Sequence, residues 1–130
     1  MGVIIISTIV LVVIAAITNA IMDILQQKYK ASIFSNLNRY SSQFWNPKLS
    51  WKNKWKWSED KQTFVEKFPL SSTVLVWTTD AWHLMQMIFH TSWQLAIAIN
   101  TPNPVLTFVV LKTINSGVFE LITRYFLVKR

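Results

Sequence analysis

The chain has no cysteine, which rules out a disulfide framework, a zinc–thiolate site and a thiol nucleophile. Acidic residues are scarce, six Asp and Glu against thirteen Lys and Arg, and the formal net charge is +7. There are two histidines, and no nucleotide-binding loop, Ser-His-Asp ordering or H-E-x-x-H motif occurs. One long stretch lacks charge altogether: from Val3 to Met22 no side chain is ionisable.

Apolar sequence is plentiful, and it is concentrated in blocks. The hydrophobic fraction of the 130 residues is 52%, and the charges gather between the blocks. A soluble core disperses its apolar positions at period 3.6 or 2, whereas a bilayer requires about 20 consecutive, mostly apolar residues per helical span. Three blocks meet that description, at about 3–22, 70–99 and 105–123. The first has no preceding Lys or Arg, and Thr18-Asn19-Ala20 is a poor cleavage signal, so it reads as an uncleaved anchor rather than a signal peptide. Met1-Gly2 does not open a myristoylation site, because Ile6 stands where Ser or Thr is required. Between the second and third blocks, Asn100-Thr101-Pro102-Asn103-Pro104 stops a helix and turns the chain, which predicts an antiparallel hairpin.

Cations set the expected orientation. Lys28, Lys30, Arg39, Lys48, Lys52, Lys54, Lys56, Lys61 and Lys67 lie between the first two blocks, and Arg124, Lys129 and Arg130 lie in the tail. The positive-inside bias then puts the N-terminus outside, with residues 23–69 and the tail 124–130 in the cytoplasm. The expected fold is a single all-α membrane domain. It has three transmembrane helices, the second and third forming a hairpin, and an amphipathic, interfacial cytoplasmic segment.

Within that segment Ile21, Leu25, Tyr29, Ile33 and Leu37 recur at spacing four, so the first helix is expected to continue to about Tyr40. Then follow Trp45, Lys48, Trp51, Lys52, Lys54, Trp55, Lys56 and Trp57, a density of Trp and Lys suited to anionic headgroups. The same residue types make protein docking surfaces. Stacking on single-stranded nucleic acid is the least favoured use in a membrane chain, and no nucleic-acid partner is expected. Residues 58–67 read as a solvated loop or short helix.

The second and third blocks carry an intramembrane polar set: Asp80, His83, Gln86, His90 and Gln94, then Lys112, Asn115, Ser116, Glu120 and Arg124. Charges at depth must be paired or wetted. A hairpin turning near Pro102 would set Asp80 near Arg124, His83 near Glu120, Gln86 near Gly117 and His90 near Thr113. Three uses compete: a structural lock of the hairpin or an oligomer, a proton or ion pathway, and a metal site built from Asp80, His83 and Glu120. The lock is favoured, and no catalytic residue, cofactor or metal is assigned.

The runs Phe44-Trp45-Asn46-Pro47, Ser50-Trp51-Lys52-Asn53-Lys54-Trp55-Lys56, Phe68-Pro69-Leu70-Ser71-Ser72-Thr73 and Thr79-Asp80-Ala81-Trp82-His83-Leu84 carry a resemblance. Over about residues 44–90 the chain resembles small integral membrane proteins of Bacteroidetes and their phages, a resemblance that implies a bacterial inner membrane and brings no activity with it. Its topology is also similar to that of three-span phage holins, which implies a pore-forming oligomer. The expected function is an accessory or assembly subunit of a membrane complex, in contact with anionic lipid and with further copies or other subunits. A pore-forming or proton-conducting oligomer and a membrane enzyme with a buried Asp-His-Glu metal site are the rivals.

Overall fold

The computed structural model describes residues 1–37 and 39–122, with the side chains of residues 39–41 and 120 left aside. The chain is mostly helical, and it divides into two compact units: residues 1–14 with 90–130, and residues 15–89.

Helix α1, Gly2–Gln27, begins the chain. Its β-branched run has no helix breaker, and Ala15, Thr18, Met22 and Leu25 form its buried stripe at alternating spacings of three and four. It is the one described helix both long and apolar enough to cross a membrane, and its place near the N-terminus also fits a signal sequence. The expected extension to Tyr40 does not occur. After Gln27 the chain makes two 3-10 turns, Tyr29–Ala31 and Ile33–Asn36. Ser32 and Ser35 explain the break, because each hydroxyl bonds to the carbonyl three residues back, at 2.7 Å, in competition with helical bonding.

The rest of this unit is a small module. Helix α2, Arg39–Trp45, is followed by a one-turn helix α3, Trp51–Lys54, which runs directly into strand β1, Trp55–Ser58. Strand β2, Thr63–Glu66, pairs antiparallel with β1 in the register Trp55–Glu66, Lys56–Val65, Trp57–Phe64 and Ser58–Thr63. The fold is therefore not all-α. Trp-Lys-Trp-Ser alternates aromatic and polar residues, and Thr-Phe-Val-Glu is rich in β-favouring side chains, so both fit a ladder better than the loop or short helix expected over 58–67. Phe34 stacks flat on Trp45, with centroids 4.6 Å apart and planes at 6°, and so ties the 3-10 turns to α2.

Helix α4 spans Ala81–Ala98, not 70–99. Residues 70–79 instead make turns and a short 3-10 helix, Val76–Thr78. Asp80 sets the start: its Oδ1 accepts the His83 N–H at 2.8 Å, and its carbonyl accepts the first intrahelical bond, from Leu84. Helix α5, Pro104–Ile122, begins the same way, with Asn103 Oδ1 accepting the Leu106 N–H at 3.2 Å and proline in the first helical position. Thr101 closes the turn through Ala98 O and Thr107 Oγ1, and the Asn100 amide donates to Thr8 Oγ1 at 2.9 Å. Among the described residues only α1 satisfies the length and apolarity of a span, and the three spans expected are reduced to one on that criterion.

Candidate functional site

The most constrained polar cluster joins the end of α3 to the start of α4. Lys54 is the last residue of α3, and its carbonyl accepts the Lys67 N–H at 2.7 Å and the Ser71 hydroxyl at 2.8 Å. These bonds fix the backbone from which its side chain reaches Asp80, Nζ to Oδ2 at 2.7 Å, with the side chains only 16% and 5% exposed. His83 Nδ1 lies 2.8 Å from both carboxylate oxygens. Since a carboxylate only accepts, Nδ1 carries the proton and donates. The 3.4 Å approach of Lys54 Nζ to that nitrogen is then a contact between two donors, with no bond between them.

Burial by itself would raise the Asp80 carboxyl, but the His83 and Lys54 hydrogen bonds outweigh it and hold the group down at about 2. An aspartate so depressed stays ionised at neutral pH and is poorly matched to taking up and releasing protons. Around it the network continues. Asn53 donates to Thr79 O at 2.8 Å, Gln43 donates to Asn53 Oδ1 at 2.6 Å, and the Thr79 hydroxyl donates to Val76 O. A second carboxylate, Glu66, accepts the Leu70 and Ser72 amides at 3.1 Å each and the Ser72 hydroxyl. The Ser72 bonds hold its carboxyl below the usual range. Together they close the 66–72 turn, in which Leu70 adopts a φ of 63°.

The residues singled out by sequence separate into several places. Asp80 and His83 meet each other, and their third member is Lys54, a residue expected at the lipid interface. Arg124, the expected partner of Asp80, lies outside the described residues, as does the side chain of Glu120. Among the described residues no three His, Asp or Glu side chains come together as metal ligands. Gln86 and Lys112 are half-buried on α4 and α5. His90 and Asn115 line a groove of about 710 Å³ between the second half of α4 and α5, with Trp93, Gln94, Ile97 and Phe119 among its walls. The buried Gln94 Oε1 has no hydrogen-bond partner there.

Of the Trp and Lys run, Trp45 packs on Phe34 and Phe44. Trp51, Trp55 and Phe64 line a shallow pocket of about 450 Å³, Trp57 meets Phe64 edge-on at 5.2 Å, and the Lys52 ammonium lies 5.9 Å from the Trp51 ring. Lys48 and Lys56 are exposed. Sequence reasoning missed Lys54 as the partner of Asp80, and with it Gln43, Asn53, Ser71 and Thr79. The signal available was the alternation over 55–58 and the β-favouring Thr-Phe-Val at 63–65, a pair of strands that folds the chain back and brings Lys54 beside residues 67–71. Comparison with protein-family models, with curated proteins and with solved structures finds no match, so the functional reading rests on the geometry.

Proposed function

We propose that the chain is a small, non-catalytic accessory or assembly subunit of a membrane complex, in which the Lys54–Asp80–His83 cluster latches a basic, Trp-rich module to the start of α4. The observation that carries this reading is an inverted distribution of side chains. The largest fully buried side chains are Leu25, Thr79 and Ser71, while Ile4, Ile5, Ile6, Ile9, Val10, Val13 and Ile17 on α1 and Val105, Leu106, Val109, Ile114 and Val118 on α5 are exposed. Such continuous apolar helix surface is costly in water and costs nothing in lipid.

In this reading α1 spans the bilayer with its N-terminus outside, and α4 and α5 form a second, hairpin insertion. Residues 23–69 and the C-terminal tail lie in the cytoplasm of a bacterial inner membrane. The Asn100–Thr8 bond supports it, since it brings the α4–α5 turn to the N-terminal half of α1, where a three-span topology needs it. At 18 and 19 residues the two helices are about 27 and 29 Å long, close to the hydrocarbon thickness of about 30 Å. Asp80 supports the non-catalytic part: its oxygens already serve a helix cap, an ammonium and an imidazole, and its proton is held too weakly for acid–base work.

The test is native mass spectrometry of the protein extracted gently from its own membrane. A second polypeptide bound to the chain is the expected result. Multiples of the chain alone would overturn the accessory reading. A pore-forming or conducting oligomer is the second reading, favoured by one observation: His90, Gln94 and Asn115 put polar groups into an otherwise apolar groove. Induced expression then separates the two, because a pore-former collapses the membrane potential of its host and a subunit does not.

A further inference from the structure

The β1–β2 hairpin has two unlike faces. Residues paired across an antiparallel ladder share a side, and neighbours along a strand alternate. Trp55, Trp57, Phe64 and Glu66 therefore project to one side, and Lys56, Ser58, Thr63 and Val65 to the other. Trp51 joins the first side, meeting Phe64 edge-on at 5.5 Å. On that side Trp51, Trp57 and Phe64 remain 42%, 51% and 49% exposed. A two-stranded hairpin is marginal in water, and leaving two of its rings and the adjoining Trp51 half-solvated forgoes the burial that would stabilise it.

At the Trp51 end of the face the charges are cationic, and the exposed Glu59 and Asp60 lie at the opposite end, in the turn between the strands. Lys52 leans over Trp51, and Lys67 Nζ reaches the Lys52 carbonyl at 3.4 Å, so both ammonium groups sit at the same rim. Lys54 is not available, being held by Asp80. The carboxylate that shares the aromatic side, Glu66, is occupied by the amides and hydroxyl of the 70–72 turn. The face thus offers amphipathic rings beside the Lys52 and Lys67 ammonium groups, while its own carboxylate, still ionised, is turned to the hydrogen bonds of the 70–72 turn.

We propose that this face, Trp51, Trp57 and Phe64 rimmed by Lys52 and Lys67, docks onto an anionic lipid surface. The rings lie among the headgroups and the two ammonium groups on their phosphates. The proposal rests on the membrane reading above, and adds that the cytoplasmic module lies flat on the bilayer rather than projecting from it. An acidic protein partner is the competing occupant. It is less favoured because the pocket between Trp51, Trp55 and Phe64 is shallow and lined by rings alone, a lining that suits lipid better than a carboxylate.

The cysteine-free chain makes the test direct. Single-cysteine variants Trp55→Cys and Thr63→Cys, each carrying a nitroxide, report the two faces of the hairpin and leave Trp51, Trp57 and Phe64 in place. The full-length protein is reconstituted into phosphatidylcholine vesicles and into vesicles that also contain phosphatidylglycerol. The expected result is loss of access to a water-soluble nickel chelate at position 55, only in the anionic vesicles, while position 63 stays accessible. Neutralising Lys52→Gln and Lys67→Gln together lowers the docked-to-free ratio by about 30-fold, at about fivefold per lysine near the surface. Position 55 remaining accessible in both membranes, or both positions becoming shielded together, overturns the proposal. Shielding at 55 that appears only with a co-purified acidic polypeptide assigns the face to a protein instead. Carbonate extraction keeps the two readings apart: release of the chain from the vesicles refutes the membrane reading, whereas retention with an accessible position 55 refutes only the docking.

Discussion

Replacing Asp80 separates the three jobs that its carboxylate performs. Asp80→Asn keeps a good helix cap and removes the charge, whereas Asp80→Ala removes both. Depression of the carboxyl from 3.8 to about 2 corresponds to roughly 2 kcal/mol of stabilisation from the pairing with His83 and Lys54. With the Asp80 side chain only 5% exposed, little of that is lost to solvent screening. Asp80→Asn is therefore expected to cost about 2 kcal/mol, more to the extent that the Lys54 ammonium is left unpaired. Asp80→Ala should cost about 1 kcal/mol beyond that, for the lost cap.

The partner is tested by a double-mutant cycle. Lys54→Met combined with Asp80→Asn should be about 1–2 kcal/mol less damaging than the sum of the single changes, because each removes what the other leaves unpaired. Thermal unfolding in detergent, followed by tryptophan fluorescence, gives the global values. Hydrogen exchange at the His83 and Leu84 amides reads the cap locally. If Asp80→Asn is as stable as the parent, or the cycle is additive with Lys54 but coupled with Arg124→Gln, then Lys54 is the wrong partner.

Acid should reproduce part of this effect. A depressed carboxyl contributes stability that is fully present above its unfolded value of 3.8 and is lost as pH falls toward 2, so residues 15–89 should loosen across that window, and Asp80→Asn should flatten the transition. Leu70 holds a φ of 63°, a conformation that costs an L-residue about 1–2 kcal/mol, so Leu70→Gly should raise the melting temperature despite the half-exposed side chain it deletes. Asn103→Ala should cost about 1 kcal/mol and fray the first turn of α5, read as faster exchange at Leu106. Gln94→Leu removes a buried acceptor that has no partner and should leave stability unchanged or raise it by about 1 kcal/mol, while loss of assembly in the same variant would favour the conducting oligomer.

What the sequence made legible was what local physics controls. The proline-bounded turn at 100–104 and the long apolar first helix follow from backbone sterics and side-chain transfer, and both are where they were expected. The β-hairpin was not read, because four-residue strands rich in Trp and Lys look like an interfacial segment until their register is known. The break after Gln27 was hidden as well: the spacing-four pattern through Leu37 is helical, but Ser32 and Ser35 divert the backbone into 3-10 turns. The partner of Asp80 was the largest surprise. A register argument confined to the two hairpin helices cannot find a lysine 26 residues upstream, brought there by a hairpin that the argument does not contain.

Asp80 also explains why α4 is short. Had the helix begun near Leu70, this carboxylate would have stood a third of the way along it, where an ionised side chain costs several kcal/mol in lipid. Starting the helix at Ala81 turns the same residue into the cap. The free N–H groups and positive end of the helix then stabilise the charge, and Lys54 and His83 complete its shell. The ten residues released from the helix become the turns that carry Ser71 and Thr79; the Ser71 hydroxyl and the Thr79 carbonyl anchor the module through Lys54 and Asn53. A longer helix would remove those anchors together with the cap. Extending α4 toward residue 70 by helix-favouring substitutions in 72–78 should therefore detach the Trp-rich module even with Asp80 intact, seen as faster exchange across β1 and β2. Unchanged exchange there would mean that the module is held by something other than this latch.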